Sequence, residues 1–308
     1  IIDHNDLDGN PLLIQSGTNR RLEQRPGVVT GDHKAYVDHR LTGVAVGLVT
    51  WHAIIPLQRR IMATLFRKQQ LKPSTTPGER VYAIGDVHGR YDLFVDLVKK
   101  IVSHWESSPS TFAKVKIVLL GDLIDRGPAS SQCLEFAYQL VKNSQVVLLK
   151  GNHEDLLLKS IAGHAVAQDI WLANGGLQFI AEYGVAPPMS GEDSFDFAER
   201  LSEAVPGHLV RLLEEAPLTI QSGDYFFVHA GIRPGRPIAR QREEDLLFIR
   251  KEFTESSRKH GAIVVHGHTI VDHVEMHDNR IAVDTGAYAS GRLSCICLEG
   301  RRRQVIHT

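Results

Sequence analysis

The stretch VVLLKGNHEDLLL, Val146–Leu158, passes from a β-branched apolar run through Gly-Asn-His-Glu into a leucine-rich run with helical spacing. A polar group without a partner at the exit of a buried strand is costly, so Asn152, His153 and Glu154 need a reason to stand there. The same order recurs along the chain: VYAIGDVHG (81–89), VKIVLLGDLIDRG (115–127), YFFVHAG (225–231) and AIVVHGHT (262–269) each end an apolar strand pattern in a short polar loop. Helical patterns follow the first three runs, in YDLFVDLVKKIVSHW (91–105), SSQCLEFAYQLVKN (130–143) and the segment after Glu154. Strand, loop and helix in repetition predict an α/β domain whose buried strands aim their carboxyl ends at one edge.

Between about 155 and 218 the strand signal lapses, and DIWLANGGLQFIAEYG (169–184) and DSFDFAERLSEAVPGHLVRLLEEA (193–216) read as a helical insertion beside the strand ends. DLLFIRKEFTESSRKHG (245–261) reads as one further helix stopped by Gly261. The tail from Asn279 to Thr308 alternates like two or three antiparallel strands.

The first 79 residues differ. Scattered Gly, Pro, Asn and Asp without a sustained period read as an irregular or weakly folded extension and linker, with Met62 as an alternative start that would leave 1–61 as an upstream extension. The apolar run Leu41–Leu57 is interrupted by Thr and His and is shorter than the ~20 residues of a membrane helix. No membrane association is expected. The 308 residues are 43% hydrophobic and 23% charged with a formal net charge of -1, so no global field recruits nucleic acid. Three cysteines, Cys133, Cys295 and Cys297, form neither a zinc spacing nor a disulfide framework, which points to a reducing compartment, the cytoplasm. Cys295 and Cys297 fall on one face of a strand and read as small core residues.

Sixteen histidines make their placement informative. Asp86 and His88 follow the first strand run, Asp122 and Asp125 the second, Asn152 and His153 the third, His229 the fourth, His266 and His268 the fifth. Taken singly, each has a bland account: an Asp at a strand end caps the next helix, and a lone histidine is a satisfied core or surface residue. Five strand ends in register make coincidence a poor account. Oxygen and nitrogen donors without sulfur describe a site for Mn, Fe or Zn. The count exceeds what one ion uses while keeping a position open, so two divalent ions sharing a carboxylate are expected.

The motifs GDVHG, GDLIDRG, GNHE, HAG and GHT, in that order from about Arg80 onward, resemble the calcineurin-like metallophosphoesterases, and within them the phosphoprotein phosphatase family, including the bacterial and bacteriophage lambda-type serine/threonine phosphatases. The resemblance implies an α/β (α+β) fold, a central β-sandwich flanked by helices on both faces, in a catalytic domain spanning 80–308. It implies Asp86 and His88 as ligands of a first metal, Asp122 as the shared carboxylate, and Asn152, His229 and His268 as ligands of a second. Manganese is the expected metal, with iron or zinc as alternatives. Arg126 is implied as a phosphate-binding residue and Arg250 as a second, with Arg233 a weaker rival; His153 is implied as the proton donor, oriented by Asp125. His266 is left as a supporting or core histidine, and Glu154 and Asp155 as helix-start residues.

The activity so implied is hydrolysis of a phosphate monoester by direct attack of a hydroxide held between two metals, on a phosphoprotein or a small phosphate ester. A protein serine/threonine, or dual-specificity, phosphatase is the first expectation. A symmetrical diadenosine tetraphosphate hydrolase, whose usual motif is G-N-H-D, is the alternative. A non-catalytic scaffold on the same fold comes third, and its mark, a missing ligand, is absent from the motifs.

Overall fold

A computed structural model describes residues 72–108, 114–143 and 145–308, and the expectations for residues 1–71 lie outside the described residues. β1 (Glu79–Ile84) is buried along its whole length. From it the chain enters α1 (Tyr91–Ser107), which buries Phe94, Leu97, Val98 and Ile101 at helical spacing. β2 (Lys114–Leu119) pairs parallel with β1, and β3 (Val146–Leu148), reached through α2 (Ser130–Val141), pairs parallel with β2.

Between β3 and the next strand lie α3 (Asn152–Ile161), α4 (Ala165–Trp171), a π turn (Leu172–Gly176), α5 (Leu177–Glu182), α6 (Ser194–Ala204) and α7 (Gly207–Glu214). Gly175, at φ 118°, interrupts the helical run there. A second sheet is built from β4 (Thr219–Ser222), β5 (Tyr225–Val228), β6 (Ile263–His266), β7 (Glu275–Met276) and β8 (Arg280–Ala282), with α8 (Glu243–Phe248) and α9 (Lys251–Thr254) between β5 and β6. α10 (Ala287–Ser290) then leads into β9 (Ser294–Glu299) and β10 (Arg302–His307), which return to the first sheet.

The strand orders are β10-β9-β1-β2-β3 and β4-β5-β6-β8-β7. Side-chain alternation turns these two sheets into a sandwich. Val81, Ala83, Val118 and Leu120 of the first sheet pack with Tyr225, Phe227, Val265 and Ile281 of the second. The intervening residues Tyr82, Ile84, Ile117 and Leu119 face the other way, into a core with Phe94, Leu134, Trp171 and Phe197 from the helices. On the far side Phe226, Val228 and Val264 meet Leu246, Ile249 and Phe253. The helix-flanked sandwich expected from the motifs is the fold observed. Cys295 and Cys297 lie with Tyr82 in the helix-side core, free and buried.

Three sequence expectations change. The helix expected over 245–261 is two short pieces: α8 ends at Phe248, Arg250 breaks the path at φ -129°, ψ -104°, and Gly261 (φ 85°) turns the chain into β6 rather than capping a helix. The break lets Ile249 enter the core while Arg250 turns toward His268. In the tail β9 and β10 form an antiparallel pair as expected, whereas β8 lies in the second sheet, parallel to β6 and antiparallel to β7. Residues 72–79, expected to be linker, belong to the packed unit: the Thr75 amide donates to the Gly300 carbonyl at 3.1 Å and the Asp224 amide to the Ser74 carbonyl at 2.8 Å.

Candidate metal centre and active site

The predicted residues converge at the carboxyl ends of β1, β2, β3, β5 and β6. Among the described residues, the non-glycine positions with positive φ are His88 (45°), Asp122 (51°), Asp125 (74°), Arg126 (64°) and His268 (62°), all within this cluster. Such backbone costs about 1–3 kcal/mol at each residue and persists only where its surroundings over-determine it. The motif glycines let the loops touch. A Cβ on Gly151 would lie 2.2 Å from Asp122 Oδ1, and one on Gly267 would lie 2.1 Å from Asp86 Oδ1.

One group of donors centres on His229. Its Nε2 lies 2.9 Å from Asn152 Oδ1, 3.2 Å from His268 Nδ1 and 3.4 Å from Asp122 Oδ1. The Nδ1–H donates to the Leu120 carbonyl at 2.9 Å, so the Nε2 lone pair points into the cage. The second group is on the other side of Asp122, where His88 Nε2 lies 3.6 Å from Asp122 Oδ2 and His88 Nδ1–H donates to the Ile124 carbonyl at 2.8 Å. Asp86 accepts the His268 amide on Oδ2 at 3.0 Å.

These groups fit divalent metal ions. Asp86 Oδ1 and His268 Nε2 are buried without a hydrogen-bond partner, and His88, Asp122 and His153, like Asp122, His229 and His268, each offer one donor atom within 4.8 Å of the others in the group. Electrostatics agree. Burial pushes His88 down to about 3, and burial together with His229 pushes His268 down to about 2, leaving both imidazoles neutral. Burial and the nearby Asp284 and Asp122 push Asp86 well above the carboxylate range. Burial would raise Asp122 too, but the imidazoles around it, His229 first, outweigh that and hold it low.

His153 also stands within reach of His88 and Asp122, its Nε2 3.9 Å from Asp122 Oδ2. Its Nδ1 is 2.5 Å from Asp125 Oδ2, which also accepts the Trp171 indole N–H at 2.8 Å. Burial lowers the imidazole pKa, but Asp122 and the Asp125 hydrogen bond reverse that and raise it. Arg126 spans the two histidines, Nη2 at 3.0 Å from His153 Nε2 and Nη1 at 2.9 Å from His88 Nε2. The Asn174 and Gly175 carbonyls of the π turn accept from its Nε and backbone N–H, each at 3.3 Å.

Arg250 reaches the cluster from the α8–α9 break, donating to the His268 carbonyl at 3.1 Å. Arg233 is engaged elsewhere, its Nε and Nη2 held by Asp245 at 2.8 and 2.7 Å. His266 is fully buried against Phe253, ring centroids 5.0 Å apart, with its Nδ1 on the Gly267 carbonyl. Asp155 bonds Lys159 on the same helix.

Sequence reasoning missed three neighbours. Asp284, two residues beyond β8, is buried, and burial together with Asp122 pushes it up to about 6 against the Gly286 amide. Its signal was available: an aspartate two residues after a strand, as Asp86 is after β1. Tyr288 lies 4.9 Å under the Arg126 guanidinium and edge-on to His88. Trp171, which holds Asp125, comes from the helical insertion.

Comparison with known proteins agrees with this geometry. The family model for calcineurin-like phosphoesterases matches residues 79–292. An asymmetrical bis(5'-nucleosyl)-tetraphosphatase, PrpE, from Geobacillus sp. (strain WCH70) is 29% identical over 233 residues, covering 70% of this chain and 89% of its own length. The protein of the same name from Anoxybacillus flavithermus (strain DSM 21510 / WK1) is 28% identical over 232 residues, covering 69% and 88%. A solved structure described as "Crystal structure of a putative diadenosine tetraphosphatase" superposes with a TM-score of 0.52 at 20% identity over 76% of this chain and 98% of that one, a likeness of fold. With the sandwich, the strand-end donors and a family match over more than two thirds of its length in agreement, the chain belongs to the calcineurin-like phosphoesterase family.

Proposed function

We propose that the chain is a phosphoester hydrolase that works with two divalent metal ions, and that its substrate is a dinucleoside polyphosphate. The observation that supports the metal reading is Asp122 shared by two donor groups, with His88 and His153 in one and His229 and His268 in the other, Asn152 Oδ1 beside His229 and Asp86 beside the His268 amide. Bound there, the ions would offset phosphoryl charge and acidify a water. Nitrogen and oxygen donors suit manganese, iron or zinc. The chain's own residues supply the rest. Arg126 and Arg250 present guanidinium N–H groups to the phosphoryl oxygens. His153, oriented through Nδ1 by Asp125 and so by Trp171, donates from Nε2 to the departing oxygen.

Relatives named as asymmetrical bis(5'-nucleosyl)-tetraphosphatases, matched along most of their length, put the dinucleotide reading ahead of the phosphoprotein one. Asymmetrical cleavage, into unequal nucleotides, takes precedence over the symmetrical cleavage that was the alternative from sequence. Glu154, in a G-N-H-E rather than G-N-H-D motif, keeps the phosphoprotein phosphatase as the second reading. No helix among the described residues is long and apolar enough to cross a membrane, and three free buried cysteines suit the cytoplasm.

The test is hydrolysis of diadenosine tetraphosphate, p-nitrophenyl phosphate and phosphoserine, phosphothreonine and phosphotyrosine peptides, with and without chelator and with Mn, Fe or Zn restored. Chelator-sensitive turnover fastest on diadenosine tetraphosphate, yielding ATP and AMP, is expected. ADP as sole product returns the symmetrical reading, and dominant turnover of phosphoserine or phosphothreonine peptide returns the phosphoprotein reading. Absence of chelator-sensitive turnover on every substrate leaves the scaffold.

A further inference from the structure

We infer that Glu154 is a positioning residue, a strut that fixes the spacing between the loop carrying Asp122 and the loop carrying Asn152. Its carboxylate is fully buried and saturated by three backbone donors. Oε2 accepts from the Gly151 amide at 2.9 Å and from the Asp122 amide at 2.8 Å, and Oε1 accepts from the Leu123 amide at 2.8 Å. Starting a helix needs only the first of these, the reach of the third helical residue back to the N-cap. The other two go to a loop at the end of a different strand. A bond runs between the same loops in the other direction, from the His153 amide to Asp122 Oδ1 at 3.1 Å. The loops are therefore tied on both sides of the Gly151–Asp122 contact that a Cβ would fill.

What the strut sets is the placing of two donors relative to one imidazole: Asn152 Oδ1 at 2.9 Å and Asp122 Oδ1 at 3.4 Å from His229 Nε2. Asp122 holds a left-handed backbone at φ 51°, which its neighbours must enforce. Two N–H groups of that loop, those of Asp122 and Leu123, are anchored by Glu154. Removing the anchor frees the loop to relax toward ordinary φ and carries the carboxylate away from the cage.

The inference rests on the proposed metal function, and the experiment separates the two. Manganese binding is followed by titration calorimetry, and unfolding by circular dichroism, in the wild type, Glu154→Asp and Glu154→Gln. Aspartate keeps a negative charge at the helix start but is one methylene short of the Asp122 and Leu123 amides. Glutamine keeps the length but turns an amide NH2 toward backbone N–H groups. Both variants are expected to bind manganese roughly 10- to 100-fold more weakly, as losses of ligand-orienting partners do, with kcat falling and KM little changed. Wild-type affinity for two ions in Glu154→Asp overturns the strut and reduces Glu154 to a helix cap. A wild type that takes up no manganese overturns the proposed function, and the strut with it. If a variant fails to fold, amide exchange in the wild type decides: Asp122 and Leu123 amides as slow as those of β1 support the strut, and fast exchange overturns it.

Discussion

At the amino ends of β1, β2 and β5, each buried charge meets its opposite. Arg80, 3% exposed, bonds Glu299 at 2.7 Å, Lys116 bonds Glu79 at 2.9 Å, Ser222 donates to Glu79, and Arg303 reaches the Tyr225 hydroxyl at 2.9 Å. At the carboxyl ends of these strands and of β6, carboxylates and imidazoles crowd together, Asp86 Oδ1, Asp125 Oδ1 and His268 Nε2 lack partners, and the backbone is left-handed at five non-glycine residues. One end of the sandwich is finished by the chain itself. The other gathers the donor atoms of both metal-capable groups. Substitutions at the two ends should therefore fail in different currencies, activity at one and stability at the other.

The largest effect is expected from Asp122→Asn, which removes the charge common to both donor sets. Metal-dependent hydrolysis should fall roughly thousandfold or more, read from steady-state kinetics at saturating manganese. Hydrolysis near the wild-type rate would end the two-metal reading.

His153→Asn should lose roughly 10²- to 10⁴-fold in turnover on an alkyl phosphate while keeping its manganese, counted by elemental analysis. The loss should be smaller on diadenosine tetraphosphate, because a nucleotide leaves as a stable phosphate anion and needs its proton less than a serine alkoxide does. Loss of metal instead would place His153, already within reach of His88 and Asp122, among the ligands.

Metal should also sharpen the contrast in stability. At a free concentration a hundred times its dissociation constant, an ion bound only by the folded chain adds about 2.7 kcal/mol. Manganese should raise the unfolding midpoint, and chelator should reverse the rise. An unchanged midpoint would mean that the crowded end is satisfied without metal.

At the opposite end Glu299→Gln should cost about 1.5–3 kcal/mol of stability, the range for a hydrogen bond to a charged group, measured by urea unfolding, with kcat unchanged. The smallest effect concerns pH. Burial pushes the Glu79 carboxyl up, but Ser222, Lys116 and Lys114 outweigh it and hold the pKa below the usual 4.5. A folded-state pKa depressed in this way contributes stability that is complete above 4.5 and lost as pH falls through the folded value. Glu79→Gln should flatten that part of the acid-unfolding curve, and an identical acid limb in wild type and variant would remove Glu79 from the account.

The working end was far more legible in the sequence than the finished one. Asp86, Asp122, Asn152, His229 and His268 stand out because each interrupts an apolar run at its exit, where polar residues need a reason. Glu299, the carboxylate on Arg80, is 219 residues away and Ser222, one of the partners of Glu79, is 143 away, and nothing in local spacing announces them. The tail was legible in part: β9 and β10 pair antiparallel as expected, but alternation marks β8 as a strand without saying that β6 and β7, in the other sheet, are its neighbours. The single helix expected over 245–261 failed because the pull of Ile249 into the core and of Arg250 toward the His268 carbonyl overrides local helical preference. Glu154 was half legible, since its place at a helix start disguised two longer-range bonds.

One connection bears on how such a molecule can change over generations. The indole of Trp171 bonds Asp125, and Glu182, at the end of α5, receives the amides of Ser130 and Ser131 that open α2. Both residues belong to the stretch between β3 and β4, so this stretch is not an ornament that lineages could trade freely. A descendant that shortened or replaced it would have to find new holders for Asp125 in the same step. Variation should therefore collect on its outer face, at positions such as Val166 and Phe195 that project from the surface, while its inner contacts are inherited as a block.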